Sequence, residues 1–168
     1  MIKVRKGNIE DLEEIILINK KTCKTTYNGI IDKEFLDNVS IEVTPEELKC
    51  KTEQILNGNA RYYVAIDNNK IVGMLKLIKV DTNNSGKIPE IQALYVLQEY
   101  QKKGIGSKLV NEAKKTLKDE KFSKMQIGCI DGNPSNEFYK KIGGKFIGQR
   151  KFKLAGIDYN ENVYLFDI

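Results

Sequence analysis

The stretch LYVLQEYQKKGIGSKL, residues 94–109, leads from an apolar run into a helical pattern through a turn holding two glycines and three lysines. Three structures would account for it: a surface turn, a patch for nucleic acid, or a cradle for the phosphates of a small cofactor. Upstream, IPEIQALYVL (88–97) has strand character. Downstream, Ile105, Leu109, Val110, Ala113 and Leu117 recur at helical spacing. The first N–H groups of such a helix lack internal partners, and its dipole end is partly positive. Glycine lets an anion come close to that backbone. Lys102, Lys103 and Lys108 add mobile positive charge, so the chemistry suits a pyrophosphate.

Two common phosphate loops do not fit. The GxxxxGK[ST] loop is absent, and Gly104-Ile105-Gly106 runs into Ser107, Lys108 and Leu109 where a dinucleotide fold needs a third glycine. Working outward, IKVR (2–5) is expected as a first strand and NIEDLEEIILINKKTC (8–23) as a helix with acids in its first turn. A loop with a short helix after Asp32 follows. Thr44, Pro45 and Glu47 then form a capping box at the start of TPEELKCKTEQIL. RYYVAI (61–66) and KIVGMLKLIKV (70–80) flank the hairpin signal DNN. After the long helix come the strand KMQIGCI (124–130), a short helix opened by Asn133-Pro134 and stopped by Gly143-Gly144, and the strands KFIGQRKF and NVYLFDI. The order predicts a single α/β domain over residues 1–168, built on a mixed sheet.

Composition removes several function classes. The chain has no histidine, which excludes imidazole-based catalysis and a Cys/His zinc site and leaves acid–base work to carboxylates, Tyr, Lys or Cys. Its three cysteines are scattered, and no metal is expected. Of 28 cationic residues only Arg5, Arg61 and Arg150 are arginine, and the lysines are spread along the chain, usually near acids. That pattern suits solvated faces better than nucleic-acid readout. No apolar run is long enough for a membrane span, and MIKVRKGNIEDLEE lacks the apolar core of a secretory signal, so a cytoplasmic location is expected.

QKKGIG (101–106) resembles the Q/R-x-x-G-x-G/A signature of the GCN5-related N-acetyltransferase (GNAT) superfamily. GNPSNEFYKKIGGKFIG (132–148) resembles its later helix, N-x-x-x-x-F-Y-x-x-x-G. The resemblance covers essentially the whole chain. It implies a twisted central sheet of about seven strands flanked by four to five helices and splayed between the fourth and fifth strands. It also implies acetyl-CoA as cosubstrate, with backbone groups of Leu94, Tyr95 and Val96 pairing with the pantetheine arm as an added strand. Amides of Gln101, Lys102, Lys103, Gly104, Ile105, Gly106 and Ser107 would hold the pyrophosphate, and Asn133 and Asn136 would border the cofactor.

For catalysis, the resemblance places a base at Glu90 and an acid at Tyr139, for direct attack of an amine on the thioester. Glu90 could equally be a solvent-facing strand-edge residue, and Tyr139 a core tyrosine beside Phe138. A phenol near pKa 10 transfers its proton poorly to a thiolate near 8.5, so hydrogen bonding to the developing thiolate is the expected role. Cys129 is expected as a buried structural thiol. Tyr27 and Glu34, with Asp37 and Glu42, could rim a site for a cationic amine or simply belong to a solvated helix and its cap. The acceptor is expected to be a primary amine of a small molecule, with protein N-termini or lysines as an alternative. A silent acyl-CoA sensor and a nucleic-acid module are competing classes, and a homodimer is compatible with the family.

Overall fold

The computed structural model describes residues 1–82 and 86–168. Seven strands form one sheet in the order β1-β2-β3-β4-β5-β7-β6. They are β1 (Lys3–Lys6), β2 (Ala60–Asp67), β3 (Lys70–Thr82), β4 (Gly86–Val96), β5 (Lys124–Ile130), β6 (Lys145–Leu154) and β7 (Ile157–Asp167). Only β4 and β5 run parallel; every other pairing is antiparallel. The helices are α1 (Leu12–Thr26), α2 (Lys33–Asn38), α3 (Pro45–Leu56), α4 (Ile105–Asp119) and α5 (Ser135–Lys141). This is the expected α/β architecture, with five helices on seven strands.

Local chemistry sets most boundaries. Asn8 and Asp11 exchange a capping box, with Asp11 N–H donating to Asn8 Oδ1 at 3.2 Å and Asn8 N–H to Asp11 Oδ2 at 2.8 Å. The first turn, Ile9–Asp11, is therefore a 3-10 helix, and α1 starts at Leu12, later than the periodicity predicts. Thr44 and Glu47 form the predicted box at α3. Asn68 and Asn69 take φ of 48° and 64° in the β2–β3 hairpin, the conformation that asparagine tolerates best after glycine. β7 begins five residues before the predicted strand, because the Ala155-Gly156 turn lets Ile157 pair directly with Leu154.

The two faces of the sheet are packed differently. On one, α4 inserts Ile105, Leu109, Val110, Ala113 and Leu117 against Tyr63, Leu75, Ile91, Ile127 and Phe166, with Tyr139 of α5 in the same core. Each buried Ile, Leu or Val side chain among these contributes about 1.5–3 kcal/mol. On the other, α1 and α3 cover Tyr62, Val64, Ile71 and Met74. A smaller cluster joins Ile31 and Leu36 to Ile130, beneath α2.

The feature that positions the site is where β4 leaves β5. Their ladder consists of Glu90 opposite Gln126 and Ile91 opposite Ile127. On its other edge β4 pairs Ile91 with Leu77 and Ala93 with Lys76, so Gln92 is an extra residue. Such a bulge bends a strand and increases its twist. It falls immediately after the last β5-paired residue, and β4 and β5 splay apart from there.

Candidate active site

The splay opens a cleft lined by Tyr27, Leu94, Tyr95, Gly128, Cys129, Asn133 and Tyr139, among others. Leu94, Tyr95 and Val96 pair with β3 through Leu75, Met74 and Gly73, and among the described residues they have no strand partner on the β5 side. That edge can accept an extended ligand as a further strand. The Val96 carbonyl is an exception, because Gln101 Nε2 donates to it at 3.0 Å.

At the end of the cleft, α4 begins. Gly104 is its N-cap, with φ 75° and, among the described residues, no atom beyond its chain neighbours within 4 Å of where a Cβ would stand. Gly106 is glycine for a different reason: a Cβ there would lie 3.0 Å from Phe138 Cζ of α5. Lys108 N–H donates to the Gly104 carbonyl at 3.1 Å, while the amides of Ile105, Gly106 and Ser107 precede the first helical bond. Gln101, Lys102, Lys103 and Gly104 are exposed, and Lys103 Nζ donates to the Glu99 carbonyl at 2.9 Å. Open space, free amides and lysines together fit a diphosphate.

Tyr139 faces the cleft from α5. It is 6% exposed, stacks edge-on to Phe138 at 5.3 Å, and its hydroxyl has no hydrogen-bond partner among the described residues. Burial pushes its phenol far above the usual value, with Cys129 and Tyr27 adding to the effect. It therefore remains a proton donor at any physiological pH. Two neighbours hold α5 in place. Asn133 Oδ1 accepts from Ser135 N–H at 2.8 Å. Asn136 donates to the carbonyls of Ile130 and Asn133 at 3.0 and 2.8 Å and accepts from Tyr164 Oη at 2.8 Å and Asn162 Nδ2 at 3.1 Å. Its side chain has no hydrogen-bonding capacity left for a ligand, so it acts on the cleft by fixing the helix that carries Tyr139.

Glu90 is 6% exposed and lies where β4 and β5 part. Both of its oxygens are engaged: Arg150 Nη2 meets Oε1, while Arg150 Nη1 at 3.0 Å and Gln126 Nε2 at 2.7 Å donate to Oε2. Arg150, on β6, also donates through Nε to Glu161 of β7. These bonds raise the pKa of its guanidinium, Glu90 first and then Glu161. The sequence signal for this cluster is faint: Arg150 is one of three arginines in a lysine-rich chain. Gln126, Gly128 and Glu161 carry no signal at all.

Of the expected acceptor rim, Tyr27 reaches the cleft, its hydroxyl 3.5 Å from that of Tyr95. Glu34 is exposed on α2, Asp37 pairs with Lys33, and Glu42 is exposed, its carbonyl accepting from Lys20. Cys129 lies in the cleft wall as a buried thiol whose pKa burial pushes up to about 12, with Glu161 and Asp131 adding to the effect. It is therefore inert as a thiolate. Among the described residues no group of acids and cysteines could hold a metal, and no helix is long and apolar enough to cross a membrane.

Residues 29–144 match the model of the acetyltransferase (GNAT) family, and the chain belongs to that family. It is an acetyl-CoA-dependent N-acetyltransferase. Over 90% of this chain and 98% of the relative, it is 28% identical to a spermidine N(1)-acetyltransferase of Thermoplasma acidophilum. It is 26% identical to the uncharacterized N-acetyltransferase YuaI of Bacillus subtilis, over 96% of this chain and 90% of the relative. Its fold is similar to that of the PaiA N-acetyltransferase of Thermoplasma acidophilum in complex with coenzyme A, with a TM-score of 0.74 and 24% identity over 100% and 99% of the two chains.

Proposed function

We propose that the enzyme acetylates a primary amine of a small, cationic molecule by direct attack of the amine on the acetyl thioester. The N–C bond forms as the C–S bond breaks, the amine loses its proton to water in the cleft, because both oxygens of Glu90 are held by Arg150 and Gln126, and the sulfur departs as a thiolate. On this reading Tyr139 donates a hydrogen bond to that sulfur, Leu94 to Val96 align the pantetheine, and the amides from Gln101 to Ser107 hold the diphosphate. Asn133 borders the cofactor, and Tyr27 lines the acceptor side.

The observation that carries the reading is the Tyr139 hydroxyl, which lines the cleft with no hydrogen-bond partner among the described residues, beside a Glu–Arg–Glu cluster that packs on Gly128 of the cleft wall. A silent sensor would have no use for a free proton donor at that point. The spermidine-acetylating relative supports a polycationic acceptor. A thiol-release assay with acetyl-CoA and a panel of diamines, polyamines, amino acids and peptides tests the proposal. Turnover is expected with the first two groups. Turnover confined to peptides, or binding of acetyl-CoA with no turnover of any amine, would contradict it.

A further inference from the structure

Arg150 bridges two buried carboxylates that are not equivalent. Glu90 spends both oxygens on Arg150 and Gln126. Glu161, 8% exposed, gives Oε1 to Arg150 Nε, while its Oε2 accepts no hydrogen bond among the described residues. That carboxyl group lies over Gly128, a residue of the cleft wall. A Cβ at Gly128 would stand 2.6 Å from Glu161 Cδ and 2.8 Å from Arg150 Nη2, so the glycine is what admits the pair to this position. The charge balance is unequal as well: two carboxylates face one guanidinium, leaving one negative charge in excess. An excess negative charge on a half-buried cluster favours the arrival of a cation.

We propose that the free Oε2 of Glu161 is the docking point for a second, non-reacting ammonium of the acceptor, which makes Glu161 a specificity-determining residue for diamines and polyamines. The inference rests on the amine-acetylation reading above and refines its substrate class. The nitrogen that attacks must be neutral, whereas a carboxylate bound to a guanidinium suits a nitrogen that stays protonated. Glu90 is then a positioning residue toward Glu161, since it anchors the far end of the same arginine. An acceptor with one nitrogen gains nothing from this contact.

The test compares an α,ω-diamine with the n-alkyl monoamine of matched length in wild type, Glu161→Gln and Gly128→Ala, with acetyl-CoA affinity measured for each protein by titration calorimetry. Glu161→Gln is expected to lower the diamine-to-monoamine ratio of kcat/KM at least tenfold, through KM for the diamine. Gly128→Ala, which displaces the carboxylate without removing it, is expected to lower the same ratio. Equal losses for both amines, an unchanged ratio, or loss of acetyl-CoA binding in both variants would overturn the proposal. A wild-type enzyme that acetylates neither amine would instead overturn the amine-acetylation reading itself.

Discussion

At the scale of single residues, Tyr139 carries the sharpest expectation. The residue is buried, its hydroxyl has no hydrogen-bond partner among the described residues, and its pKa is raised by burial, so it stays protonated through the working range. Tyr139→Phe removes one oxygen from a packed site and should lower kcat about 10²-fold, with acetyl-CoA affinity changed less than about threefold. Stopped-assay kinetics and calorimetry separate the two effects; an unaltered kcat would remove the phenol from the mechanism. Sequence pattern located this residue, because an Asn-to-Phe-Tyr spacing on a short helix is a local signal. It could not reveal that Asn136 is saturated, since its partners Tyr164 and Asn162 come from β7, more than 25 residues away.

At the scale of elements, the entrance of α4 separates two glycines that look alike in the sequence. Gly104 is needed for its left-handed backbone, which costs a residue with a side chain roughly 1–2 kcal/mol. Gly104→Ala should therefore weaken acetyl-CoA binding by about tenfold with kcat at saturation little changed. Gly106→Ala pushes on Phe138, the neighbour of Tyr139, and should depress kcat more than affinity. Titration calorimetry and saturation kinetics on both variants distinguish them, and identical signatures would argue against two separate roles. The helix itself was legible from five apolar positions at one spacing. The bulge at Gln92 was not, because it is defined by which residues of β3 face β4, a pairing no local pattern encodes. The same limit hid Arg150 with Glu90, which are 60 positions apart and joined across β7 and β5.

Across the whole molecule, one further charge bears on stability: the α1–α3 face of the sheet carries a buried lysine over Tyr62. Lys76 is 9% exposed, donates to Gln54 Oε1 at 3.0 Å, and its pKa falls to about 8, chiefly through burial and then through Lys51. Between about pH 8 and its ordinary value of 10.5 the unfolded chain holds a proton that the folded chain has lost. Stability from this residue therefore rises with pH across that window and is penalised below it. Lys76→Met should stabilise the protein at pH 7 by about 1–3 kcal/mol, and the gain should shrink as pH rises from 8 to 10. Tyr62, Tyr95 and Tyr139, whose pKa values are raised by burial, act oppositely, and their contribution is lost as pH climbs above 10. Melting curves of both proteins over pH 7–10 check the difference, and a constant gap would contradict the burial of a titrating lysine. Acetyl-CoA at high excess should raise the melting temperature by several degrees, since it binds the folded chain alone.

The claim on which the account depends is that the β4–β5 splay and the start of α4 form one cofactor cradle. A crystal structure with coenzyme A tests it most directly. The account predicts the diphosphate within hydrogen-bond distance of the amides between Lys102 and Ser107, and the pantetheine running beside Leu94 to Val96 toward Tyr139. A diphosphate bound away from Gly104, or a pantetheine lying outside the splay, would contradict it.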